Sequence, residues 1–142
     1  MAGTTSKPVF VKDGQYLSMI ADNAITLGNV CQITSTGDNT CDVGAANKTC
    51  AGVAVGGDRY SRTATDNSIA AGAKVTICTR GVVNVYTGTS TIVRGSFLEM
   101  GASGVVELAG TAGTASDPQD VIGVALEGNS SAAATIQMQL RL

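Results

Sequence analysis

One phrase occurs twice in this chain of 142 residues, and it constrains the fold more than any other feature. Ala51-Gly52-Val53-Ala54-Val55-Gly56-Gly57 leads, after a loop, into Lys74-Val75-Thr76-Ile77-Cys78-Thr79-Arg80. Ile122-Gly123-Val124-Ala125-Leu126-Glu127-Gly128 leads into Thr135-Ile136-Gln137-Met138-Gln139-Leu140-Arg141-Leu142. Each copy is a short apolar run, a turn of small residues, and a run in which apolar and polar residues alternate. Alternation with period two places the apolar side chains on one face of a strand. The phrase therefore predicts a half-buried sheet folding back on itself, with no catalytic residue at its centre.

The remaining sequence supports an all-β reading. Pro8-Val9-Phe10-Val11-Lys12 predicts a strand and Asp13-Gly14 a turn, followed by a second strand over Tyr16–Ile20. Gly28-Asn29 carries a hairpin signal between Ala24–Leu27 and Val30–Ile33. Gly81, between Lys74–Arg80 and Val82–Tyr86, suggests a bulge rather than a break. Thr91-Ile92-Val93 reads as a brief strand, and Ser96–Met100 with Val105–Leu108 as a hairpin. No long amphipathic helix is found. Short strands at close spacing with glycine-rich turns indicate a barrel or sandwich.

Composition enters where function classes must be excluded. Charged residues make up 14% of the chain, against about 25% in ordinary domains. Low charge with positive mean hydropathy argues against disorder. The net charge of −2 and the scatter of nine cations leave no basic stripe for phosphates, so no nucleic-acid partner is expected. No apolar run approaches the roughly 20 residues that span a bilayer, and the N-terminus lacks a signal-peptide pattern. A soluble protein made in a cytoplasm, with no membrane partner, is the expectation.

The chain has no His, which removes the commonest general base and every Ser-His or Cys-His nucleophile pair. It also lacks a G-x-x-x-x-G-K-[ST] phosphate loop. The pairs Asp38 and Asp42, Asp58 and Asp66, and Asp117 and Asp120 lie in loops of small residues, where Asp builds turns. Cys31, Cys41, Cys50 and Cys78 show no C-x-x-C spacing. Packing thiols are favoured over a four-thiolate zinc site, and four cysteines leave three disulfide connectivities open. Cys78 shares the parity of Thr76 and Arg80 and is expected on the polar side. No catalytic, cofactor or metal site is expected.

Two segments break the pattern and become candidate contact sites. The first is an N-terminal arm over residues 1–9, ahead of a single domain over residues 10–142, with Thr4, Thr5, Lys7, Pro8 and Phe10 as candidates. The second is the charged Gly56–Asn67 loop, with Asp58, Arg59, Tyr60 and Arg62; Tyr and Arg are common interface anchors.

The order of elements resembles a known family. Phe10-Val11-Lys12-Asp13-Gly14, then Ala51-Gly52-Val53-Ala54, Gly72-Ala73-Lys74-Val75-Thr76-Ile77, Arg80-Gly81-Val82-Val83 and Ile122-Gly123-Val124-Ala125-Leu126-Glu127 follow in sequence before a final alternating strand. This order is similar to that of the tailed-phage capsid decoration, or cement, proteins, from about Phe10 to Leu142. The resemblance implies a small β-barrel or β-tulip-like sandwich without enzymatic activity. It implies a virion protein that binds the major capsid protein on the outside of an icosahedral shell, as a homotrimer at local three-fold positions. The alternative is an adhesive or carbohydrate-binding β-domain, which the scarcity of aromatics (4%, no Trp) disfavours.

Overall fold

The computed structural model describes residues 11–57, 67–89, 91–109, 121–129 and 134–142. Eleven strands run through them: β1 (Val11–Ala21), β2 (Ile25–Thr26), β3 (Val30–Ile33), β4 (Thr40–Val43), β5 (Cys50–Gly57), β6 (Ser68–Ile69), β7 (Lys74–Tyr86), β8 (Phe97–Met100), β9 (Val106–Leu108), β10 (Val121–Ala125) and β11 (Thr135–Arg141). Nine of them form one mixed sheet in the order β1-β4-β3-β5-β7-β11-β10-β8-β9. A further β1–β7 pairing closes β1, β4, β3, β5 and β7 into a ring, and β2 pairs with β6 outside that sheet. The all-β, sandwich-like expectation holds.

The strand β7 organises the whole molecule. β1 follows it antiparallel from Lys74 to Val83. On its other side β5 takes Val75–Cys78 and β11 takes Arg80–Tyr86. One long strand thus belongs to the ring at its start and to the C-terminal strands at its end.

Two apolar cores result. The ring interior holds Met19, Ala21, Cys31, Cys41, Ala54, Val75 and Ile77, plugged by Ile25 of β2 and Ile69 of β6. The second core lies between the outer face of the ring, through Val30, Val53 and Cys78, and the C-terminal strands, through Leu98, Val106, Ile122, Ile136, Met138 and Leu140. Cys78 is therefore fully buried, contrary to the polar side its parity predicted. The C-terminal strands cover a face that strand alternation alone leaves open to water.

The parity of β7 changes along its length. Cys78 faces the second core, and so do Val83 and Val85, an odd number of positions away. The phase is reset at Thr79, which the β1 register skips between Cys78 and Arg80. β7 then runs on without a break through Gly81, at φ +133°. A side chain there would strike Gly14 Cα and the carbonyl oxygens of Lys12 and Asp13. Opposite it, Asp13 adopts φ +56° and the β1 register slips between Lys12 and Gln15. Asp13-Gly14 is therefore a bulge inside a continuous β1, not the turn its residues predicted, because β7 offers hydrogen bonds on both sides of it.

Two other expectations are corrected. Gly28-Asn29 does turn, with the Asn29 N–H donating to the Thr26 carbonyl, but β2 pairs with β6 rather than β3. Thr91–Val93 is not a strand; Ile92 is instead anchored into the second core by its N–H bond to Asn129 Oδ1. The hairpin of Phe97–Met100 with Val106–Leu108 is formed.

Candidate functional site

The doubled phrase is a doubled strand pair. Aligning the copies sets Gly52 beside Gly123, Val53 beside Val124, Ile77 beside Met138 and Cys78 beside Gln139. Val53 pairs with Cys78 and Val124 with Gln139. A Cβ on Gly52 would meet the Cys78 carbonyl oxygen and the Ile77 side chain; one on Gly123 would meet the Gln139 carbonyl oxygen and the Met138 side chain. Both glycines serve the same close backbone approach. They are scaffold, and function has to be sought around them.

The first part of β1 is an open stretch of described surface. β4 reaches β1 only at Ile20 and Ala21, so from Val11 to Met19 the side away from β7 has no strand among the described residues. Lys12, Asp13, Gln15, Tyr16, Leu17 and Ser18 are all exposed. Tyr16 (55% exposed) and Leu17 (46%) are consecutive, so they lie on opposite faces and neither face is buried here. Tyr16 lays its hydroxyl over Gly14, where any Cβ would collide with it. A bare strand edge flanked by apolar side chains is the feature of a sheet that takes up a partner.

A groove of about 680 Å³ lies at the seam between ring and C-terminal strands, lined in part by Lys48, Cys50, Glu99, Ile122 and Arg141. Its chemistry is structural. Glu99 is buried and stands opposite Glu107 across β8 and β9. The Glu107 side chain lies against Gly101 with its stem and against Gly88 with its carboxylate, which accepts the Thr89 N–H at 2.8 Å. Burial pushes the Cys50 thiol up to about 12, which makes it a poor nucleophile. Among the described residues no group of three or more Cys, Asp or Glu could hold a metal ion.

The described carboxylates of the 34–42 region build their loop. Asp22 accepts a hydrogen bond from the Thr36 hydroxyl at 2.7 Å, and Asp42 accepts from Asn23 Nδ2 at 2.9 Å. Hydrogen bonds from Thr34 and Thr36 hold the Asp22 carboxyl below its ordinary value. Asp38, the other half of the Asp38 and Asp42 pair, is exposed.

The contact residues expected from sequence fall elsewhere. Thr4, Thr5, Lys7, Pro8 and Phe10, and Asp58, Arg59, Tyr60 and Arg62, all lie outside the described residues. Sequence reasoning missed the open edge of β1, although Tyr16–Ile20 was read as strand. The signal was there in part: Tyr16-Leu17 places two large apolar residues on opposite faces, which a one-sided strand does not require.

Comparisons with known proteins bear on the family and the fold. The sequence profile of a family described as Structural cement protein (E217 gp24/Pam3 gp6) matches residues 3–141. No curated protein sequence matches the chain. Among solved structures, the base of the head fiber gp8.5 of bacteriophage phi29 superposes with a TM-score of 0.63 at 16% identity, covering 90% of this chain and 94% of that one. A chain in the capsid of Myoviridae phage XM1 superposes with a TM-score of 0.61 at 12% identity, covering 90% and 83%. At such identities these two likenesses concern the fold.

Proposed function

The chain belongs to the structural cement protein family, and from that premise we propose that it binds the outer surface of an icosahedral phage capsid as a homotrimer at local three-fold positions. Membership carries a structural, capsid-stabilising role in the virion. The finer reading names the major capsid protein as partner and the shell exterior as location. The observation that carries it is the family match, which runs through both copies of the strand pair and the open edge of β1. Repetition over a shell makes modest single contacts effective, because each bound subunit raises the effective concentration of the next contact.

The contact surface in this reading combines the β1 edge at Tyr16 and Leu17 with the arm at Thr4, Thr5, Lys7, Pro8 and Phe10. Asp58, Arg59, Tyr60 and Arg62 of the charged loop are the second set. The test is co-sedimentation of purified protein with shells stripped of it, read together with light scattering of the free protein. Wild type is expected to pellet with shells and to scatter as a trimer, free or once bound. The double substitution Tyr16→Ser with Leu17→Ser, at half-exposed positions, is expected to keep the melting curve and to weaken attachment about tenfold or more. Protein that stays in the supernatant at every concentration, or attachment unchanged by both that variant and removal of residues 2–7, would defeat the assignment.

A further inference from the structure

The backbone of β1 points alternately toward β7 and away from it. The Ala21 N–H donates to the Ala73 carbonyl, just ahead of β7. The Ile20 N–H donates instead to the Asn39 carbonyl, and the Asp22 N–H to that of Cys41, on the side of β4. The register between β1 and β7 runs without a slip from Tyr16 to Ile20. The N–H and C=O groups of Tyr16 and Ser18 therefore point the same way as those of Ile20. β4 starts only at Thr40, opposite Ile20, so along Tyr16–Met19 these groups face no strand among the described residues.

We infer that residues 2–10 of a second copy of this chain add a strand to this edge, so that each copy lends its N-terminal arm to the next. The inference deepens the homotrimer of the proposed function and rests on it. Residues 2–10 match the edge Val11–Met19 in length, about 30 Å when extended at about 3.3 Å per residue. They lead straight into Val11. To lie along its own β1, the arm would have to reverse within Pro8-Val9-Phe10, which has no Gly, Asn or Asp to build a tight turn. An arm from a second copy needs no turn.

The residue types of the arm suit that place. Val9 and Phe10, like Tyr16 and Leu17, are consecutive and so fall on opposite faces of a strand, which gives each face an apolar side chain from both strands. Thr4 and Thr5 favour extended backbone. With Pro8 turned outward, where its missing N–H is harmless, the N–H groups of Thr5, Lys7 and Val9 turn inward to β1. Joining arm to edge uses two different patches, so three copies close a ring; joining edge to edge gives a two-fold dimer instead.

The experiment uses two full-length forms refolded together, an unlabelled chain carrying Leu17→p-benzoylphenylalanine and a heavy-isotope-labelled wild type. They are irradiated free and on shells, then digested with trypsin, which leaves Lys7-Pro8 intact and releases Met1–Lys12 and Asp13–Lys48. A link from light Asp13–Lys48 to heavy Met1–Lys12 is expected. Removing residues 2–9 should turn the trimer into monomers and speed amide exchange at Tyr16 and Ser18 about tenfold or more. Thr5→Pro should weaken the trimer and Thr4→Pro should not. No link to the arm, a link confined to one copy, a link to the major capsid protein only, or a trimer that survives loss of the arm would overturn the inference and leave capsid attachment standing. A heavy–light link in protein that never pellets with shells would uphold the inference and defeat the attachment.

Discussion

The two copies of the strand pair share a geometry and differ in burial. In the first, β5 and the start of β7 are covered on both faces: Ala54 and Ile77 line the ring interior, while Val53 and Cys78 line the second core. In the second, β10 and β11 bury only one face, with Ile122, Ala125 and Met138 inside, Val124 half-buried and Gln139 exposed. The same local phrase therefore serves as a central layer in one place and an outer wall in the other. A strand's sequence fixes its alternation; the number of its faces that meet a core depends on what packs against it.

The largest difference is expected at the glycines. Gly52 sits at φ +142°, a conformation L side chains rarely adopt, and a Cβ there would press on strand backbone with Ile77 behind it. Gly52→Ala should cost about 3 kcal/mol or more, from strain added to overpacking. Gly123 has no such φ, so although a Cβ there would also press on a strand carbonyl, that of Gln139, Gly123→Ala should cost about 1–2 kcal/mol, from overpacking without the backbone strain. Urea unfolding midpoints compare the two, and equal losses would erase the distinction between central layer and outer wall.

The next contrast removes the same two methyl groups from equivalent positions. Val53 has no exposed surface, and Val53→Ala should cost about 2 kcal/mol. Val124 is half-buried, and Val124→Ala should cost about 0.5 kcal/mol. A loss at Val124 as large as at Val53 would mean that a partner or another part of the chain covers that outer face.

The smallest contrast appears only in alkali. Cys50 occupies the place that Val121 holds in the second copy. Its thiol is raised from 9.0 to about 12 in the folded protein, chiefly by burial. Folded protein keeps that proton while the unfolded chain loses it, so the stability is complete below pH 9 and falls as pH rises toward 12. The slope is at most about 1.4 kcal/mol per pH unit for this thiol. Cys50→Val should leave neutral stability nearly unchanged and flatten the alkaline decline, measured by melting temperature against pH. The decline should not vanish, because Cys31 and Cys78 are also raised.

Much of this was legible beforehand, residue by residue. That the strand runs on past Gly81 could be read, because a lone glycine inside an alternating run marks an irregularity more often than an end. The hairpin from Phe97 to Leu108 could be read because its turn and its register are local. The buried side of Cys78 could not, since its polar-looking parity is overruled by strands that arrive some sixty residues later. The Asp13-Gly14 bulge was mistaken for a turn for the same reason. For function, the order of motifs pointed to the cement family, while the β1 edge, unpaired among the described residues, stayed hidden, because whether a strand has a neighbour on both sides is a fact about other strands.

What the sequence determined by itself is therefore the alphabet: short alternating strands and glycine at close approaches. Alternation and steric fit act over a few residues and are written there. The tertiary structure decided the grammar: which copy of the phrase is buried on both faces, which cysteines share a core, and where the ring stays open. Those outcomes depend on contacts between residues far apart in the chain, which no local pattern encodes.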